Sequence, residues 1–166
     1  MQTTFRDQAV WHRACGNDTL RHAQRSDPCA AHGTDRDQQF VSLLQGFRPS
    51  GGLSRAHSVA EWLASRCGQN VGTLARWMVR GEVLHFEWQS DSWLPMFQFH
   101  TTATTPHSVV GLVLKELEGV FDPWETAQWF ARPSIALGGR MPADAVASDA
   151  DAVLQVARFD RYLADA

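Results

Sequence analysis

Apolar positions change their period along the chain, and each period predicts a different element. In DRDQQFVSLLQGF, Phe40, Leu43, Leu44 and Phe47 fall at i, i+3, i+4 and i+7, which gathers them on one helical face. RPSGG then breaks that pattern. In HSVAEWLASRCGQNVGTLARWMVRGEV, Val59, Trp62, Leu63 and Cys67 share one face, with Ser58 and Glu61 in capping-box spacing. Gly68 suits a left-handed helix end. Val71, Leu74, Ala75 and Met78 then line a second helix that Gly81 stops. Two short helices around a glycine-containing turn predict a helix-turn-helix.

The period shortens to two after Gly81. Val83, His85 and Glu87 alternate with Leu84, Phe86 and Trp88, and the polar QSDS precedes Trp93 and Leu94, which predicts a hairpin. Pro95 places the second arm at an edge or in an irregular segment. Helical spacing returns in SVVGLVLKELEGVF. In DPWETAQWFARP, Asp122 caps and Pro123 opens a helix that ends before Pro133. GGRMPADAV reads as a loop and a proline-initiated helix. Ser148 and Asp151 open the last helix, whose seam is Val153, Val156, Ala157 and Leu163. The predicted fold is mainly α: a helix-turn-helix, a short β-hairpin and a C-terminal helical module.

Composition adds boundaries to this picture. A chain of 166 residues suits one domain or two small ones. Residues 1–35 mix polar and charged types without apolar period, the composition of a flexible arm. The divisions expected are 1–35, 36–100 and 101–166. No stretch nears the ~18 apolar residues of a membrane span, and the N-terminus lacks an apolar signal core. Cys15, Cys29 and Cys67 make a poor disulfide framework. The expected location is therefore cytoplasmic. Net charge is −3, but from Arg48 to His85 five arginines stand against two glutamates, and from Glu116 onward nine acids stand against four arginines. A basic middle and an acidic end predict faces with different partners.

Candidate chemistry concentrates in the helix-turn-helix. Ala64, Gly68, Leu74 and Trp77 supply the small, turn and locking positions of such a unit. Gln69, Asn70, Thr73, Arg76 and Arg80 then fall at the start or on the exposed face of the second helix. Arginine pairs with guanine edges, Asn and Gln with adenine, and Thr with phosphate or a thymine methyl. The competing reading is a helical hairpin with a merely solvated polar face. The aromatics from Leu84 to His100 have no interleaved Lys or Arg and include Glu87 and Asp91. They therefore predict a core rather than a base-stacking platform. His12, Cys15, Cys29 and His32 form H-x2-C and C-x2-H pairs, types that suit zinc, but their order and setting favour chance residues in an arm. No nucleophile elbow, phosphate loop, dinucleotide fingerprint or H-E-x-x-H is present. Neither an enzyme, a cofactor nor a metal is expected.

LPMFQF at Leu94–Phe99, a following helix, and WFARPSIALGGRMPADAV at Trp129–Val146 carry a resemblance. Together they resemble the toxin-binding domain of Xre/MbcA/ParS-type antitoxins, with Trp129, Phe130, Pro133, Leu137, Gly138, Gly139 and Pro142 matching in order. The resemblance covers roughly the C-terminal 70 residues. It implies a helical module that binds a partner toxin, often of the NAD-consuming RES type, beside a region that binds its own promoter. It also implies a partner surface at Ser134, Gly138, Gly139 and Arg140. Ser134 stands where the family commonly has Asn. The expected function is a DNA-binding regulator of antitoxin type, a homo-oligomer whose partners are DNA and a cognate toxin, with no membrane partner. The alternative is a protein-interaction adaptor without DNA contact.

Overall fold

The structure is a computed structural model that describes residues 28–67, 71–164 and 166. Among them are seven α-helices and a three-stranded antiparallel sheet, the mainly α architecture that the periods predict. The H-x2-C and C-x2-H pairs lie outside the described residues: His12 and Cys15 altogether, Cys29 and His32 by their side chains.

Helix α1 spans Pro28–Phe47 and so begins inside the stretch whose composition reads as an arm. A proline at a first helical position has no amide to leave unpaired, which suits a start there. Phe40, Leu43 and Phe47 are buried as expected, whereas Leu44 is exposed. The buried stripe of α1 is thus narrower than its apolar stripe.

Strand β1, Leu53–Arg55, follows the RPSGG break and runs straight into α2, Ala56–Cys67. Ser58 therefore lies inside the helix rather than capping it. Helix α3, Val71–Val79, follows after a gap of three residues, and Gly81 closes its end with φ +65. Val59, Ala60, Leu63 and Leu74 are buried between these helices and the sheet, with Trp62, Trp77 and Met78 packed around them. Ala64 is exposed. Ala60, one turn earlier, is the small residue at the buried joint.

Strands β2, Phe86–Trp88, and β3, Asp91–Pro95, form the expected hairpin. Its turn is only Gln89–Ser90, both with positive φ (48° and 65°), the sense that matches strand twist in a two-residue hairpin. The sheet order is β1-β3-β2, so β3 is central and not an edge. Leu53 pairs with Pro95 and Arg55 with Trp93, while Phe86 also pairs with Trp93. Pro95 is tolerated because it ends the strand. The next amide, Met96 N–H, reaches Gly52 O at 2.9 Å, and a 3-10 turn, Met96–Gln98, follows.

The C-terminal module comprises α4 (Ser108–Leu117), α5 (Pro123–Phe130), α6 (Pro142–Ala145) and α7 (Ala150–Ala164). Asp122 and Glu125 cap α5 reciprocally: Glu125 N–H donates to Asp122 Oδ1 at 2.7 Å, and Asp122 N–H to Glu125 Oε2 at 2.9 Å. Val153, Val156 and Ala157 form the buried seam of α7, but Leu163 is exposed. These helices share one large cluster with Phe40, Leu43 and Phe47 of α1 and with Phe86 and Phe97. That cluster crosses residue 100, so the aromatic hairpin region and the helical module are packed as neighbours.

Candidate nucleic-acid interface and partner-facing loop

Thr73, Arg76 and Arg80 fall at i, i+3 and i+7 and share one stripe along α3 and its exit. Leu74 points to the other side and is buried. Arg76 is exposed, and its Nη2 donates to Thr73 Oγ1 at 3.2 Å. Arg80 lies one residue beyond the helix. Its N–H still bonds Arg76 O at 3.0 Å, so it continues the helical path. Its guanidinium is 3.8 Å from Glu82 Oε1, and its side chain is 67% exposed. At that exposure the carboxylate is a weak tether, and a phosphate can compete for the same charge. Gln69 and Asn70 lie outside the described residues.

The hairpin beside these helices has a different electrostatic character. Its β3 strand and the neighbouring β1 pack on α2, and its tip carries Glu87 and Asp91. Arg55 on β1 is already engaged, with Nε 3.1 Å from Asp91 Oδ2 and its guanidinium 5.2 Å from the Trp93 ring centroid. The aromatic faces are also taken. Phe40 stacks on Trp88 at 3.7 Å with 6° between planes, and it meets Trp93 edge-on at 5.0 Å. These rings form packing rather than a free stacking surface.

Ser134, Gly138, Gly139 and Arg140 come together on one loop between α5 and α6. Ser134 is its hub: its N–H donates to Arg140 O at 3.0 Å, and its carbonyl accepts from Gly139 N–H at 2.9 Å and Leu137 N–H at 3.1 Å. The two glycines hold positive φ, 66° and 83°, conformations that cost other residues strain. Arg140 is not a free cation. Its Nη2 lies 2.8 Å from Asp149 Oδ2, and its Nε donates to Leu137 O at 3.2 Å. The residue that sequence reasoning missed here is Ile135, 98% exposed on the same loop. A cleft of about 300 Å³ beside the loop is lined by Trp129, Arg132, Pro133, Ser134, Pro142 and Asp160, among others. Trp129 Nε1–H donates to Asp160 Oδ2 at 2.7 Å, which ties α5 to α7 along its wall.

Further along α7, Phe159 and Tyr162 are exposed. Ile135 and these two rings interrupt an apolar period or fall outside its buried seam, which is the signal that could have marked them.

Two polar groups behind α3 also escaped the sequence reading. Gln98 is fully buried, and its side-chain amide pairs with both backbone groups of Leu84. Leu84 N–H donates to Gln98 Oε1 at 2.7 Å, and Gln98 Nε2 donates to Leu84 O at 3.0 Å. His100 and His107 lie close by in sequence, with ring centroids 3.6 Å apart. Burial, together with the neighbouring His100, holds the His107 imidazole below the ordinary histidine range.

Among the described residues no group of three or more His, Cys, Asp or Glu is arranged to hold a metal ion, and no helix is long and apolar enough to cross a membrane. No family model matches the chain, and searches of curated proteins and of solved structures find no match.

Proposed function

We propose that this chain is a cytoplasmic DNA-binding transcriptional regulator of antitoxin type, which meets DNA through α3 and a protein partner through its C-terminal module. The observation that carries the DNA reading is the Thr73–Arg76–Arg80 stripe along α3 and its exit, with Arg76 and Arg80 exposed and Thr73 half-buried. An arginine on such a helix reaches guanine edges or phosphates. The flanking sheet, with β1 before the two helices and the hairpin after them, gives the unit a wing. Glu87 and Asp91 make that wing a poor phosphate contact, so the reading element is α3. DNA half-sites related by symmetry would call for a homo-oligomer.

The partner surface is the Ser134–Arg140 loop, where Ile135 stands open above a rigid turn. A cognate toxin is the partner that the antitoxin resemblance implies. An adaptor that binds protein without DNA is the second reading. Exposed Ile135, Phe159 and Tyr162 favour a protein partner whether or not DNA is bound.

Selection of duplexes from a random pool, followed by titration over a range of salt, separates the two readings. Binding that weakens with salt is the mark of phosphate contact. Arg76→Ala with Arg80→Ala should weaken it and reduce the salt slope by up to about two units. Selection of no duplex, or unchanged affinity in the double variant, removes α3 from the interface.

A further inference from the structure

The hairpin reaches α4 through a loop that folds back on itself. Phe99 and Pro106 face each other in an isolated antiparallel bridge. His100 N–H donates to Thr105 O at 2.9 Å, Thr104 N–H to His100 O at 3.0 Å, and His107 N–H to Gln98 O at 2.8 Å. Thr104 is buried inside with φ +50. A β-branched residue is strained in that region, so the loop's surroundings must hold it shut. The two side chains at its ends, His100 and His107, meet ring to ring at 3.6 Å and 42°.

We propose that His100 and His107 form a proton-sensitive clasp, which holds the 98–107 loop closed while neutral and opens it when both rings are protonated. Neutral imidazoles at this distance gain by packing, whereas two imidazolium ions repel. The setting of His107 resists a charge. It is half-buried, faces His100, and occupies the N-terminal cap of α4, where the helix dipole disfavours a cation. Trp62 from α2, Ser50 and Ser54 from the segment before it, and Asp144 from α6 line the cleft beside the pair. Asp144 is the charged group in that lining among the described residues. A second proton on the pair meets the first across ring centroids 3.6 Å apart. Because the folded His107 resists protonation, the closed loop is fully held above the ordinary histidine range and is weakened as pH falls through it. Opening would also free the main chain of Gln98, whose side chain braces Leu84 at the exit of α3.

Amide exchange and histidine ring titration by NMR on the full chain, from about pH 8 to about pH 5, test this. Exchange is corrected for its intrinsic pH dependence. His107 should titrate below the ordinary histidine range, and protection at the His100, Thr104 and His107 amides should fall by at least about five-fold through that titration. In His100→Gln the remaining His107 should titrate higher, and most of the pH-dependent loss should vanish. Loop protection that stays flat while both rings titrate means that exposed His100 simply turns into solvent, and the clasp is overturned. Full pH-dependent loss in His100→Gln overturns it as well. Neither result depends on DNA, so failure of the clasp leaves the DNA reading standing.

Discussion

The two hydrophobic clusters are closed by different amounts of structure. The larger draws on α1, the hairpin, and α4 to α7, and includes Phe40, Phe47, Phe86, Phe97, Trp124 and Phe130. The smaller gathers Val59, Ala60, Leu63, Leu74, Val83, Leu94 and Phe99 among the described residues, with half-exposed Trp62, Trp77 and Met78 around it. A single segment feeds both. Trp93 and Phe97 turn to the larger cluster, Leu94 and Phe99 to the smaller. The difference teaches that the α2–α3 unit is a light attachment on a heavier scaffold. The proposed partner loop is built on that scaffold, while the proposed reading helix packs on α2, which in turn rests on the central strand.

This contrast is broken most directly by truncating one side chain in each cluster. Phe130 is fully buried and lies 4.9 Å from both Phe97 and Trp129, centroid to centroid. Phe130→Ala should cost about 3–5 kcal/mol and lower the urea midpoint of the whole chain. Leu63→Ala should cost less, about 2–3 kcal/mol, because half-exposed neighbours can close over the gap. In that variant amide exchange should rise in α2 and α3 while α4 and α5 stay protected. Equal loss of protection in both regions would make the two clusters one cooperative unit.

The legible parts of this fold are those set by local rules. Asp122, Pro123 and Glu125 announce the start of α5, and the capping hydrogen bonds are present. Gly81, Pro142 and the alternating β2 positions act as their types suggest. Strand β1 was not legible, because Leu53–Arg55 is too short to display a period and its partner, β3, lies about forty residues away. The same missing strand left β3 expected at an edge or in an irregular segment, and Ser58 as a cap. Leu44 and Leu163 continue an apolar spacing past the width of their neighbours. Of the proposed DNA-facing residues, Thr73, Arg76 and Arg80 are brought to one stripe, which helical spacing alone could foresee. Arg140's ion pair with Asp149 needs the α7 start to fold back, which no local pattern encodes. Gln98 did carry a signal, an amide between two phenylalanines in a buried run, but its partner Leu84 depends on tertiary structure.

Gln98 supplies the next sharpening of the comparison, because it holds Leu84, where the chain passes from Val83 of the smaller cluster into the larger one. Gln98→Leu keeps the volume but leaves Leu84 N–H and C=O unpaired in the interior. Each orphaned group costs roughly 1–3 kcal/mol, so the variant should lose about 2–4 kcal/mol by chemical denaturation. The loss should be accompanied by faster exchange at Leu84 and in the last turn of α3. A change under about 0.5 kcal/mol, the usual scatter for surface positions, would mean that water or a backbone shift satisfies Leu84 and that the two units are not joined there.

The smallest effect belongs to the ion pairs on the scaffold itself. Glu116 of α4 accepts from Arg158 Nε at 3.1 Å and from Arg161 Nη1 at 3.0 Å, both on α7. The arginine side chains are half exposed, and such pairs contribute little because solvent and side-chain entropy offset their attraction. The hydrogen bond from Arg158, aided by Arg161, holds the Glu116 carboxyl below the usual carboxylate range. Whatever the pairs contribute is therefore present above that range and lost as pH falls through the lowered titration. Glu116→Gln should move the melting temperature by less than about 2 °C at neutral pH, and the shift should shrink further in high salt and vanish in acid. The apolar seam of Val110 and Val113 with Val153 and Ala157 explains why, since α4 and α7 pack through buried aliphatic residues. A large, salt-sensitive drop would instead show that charge holds this joint, and the scaffold would lose its claim to be the sturdier region.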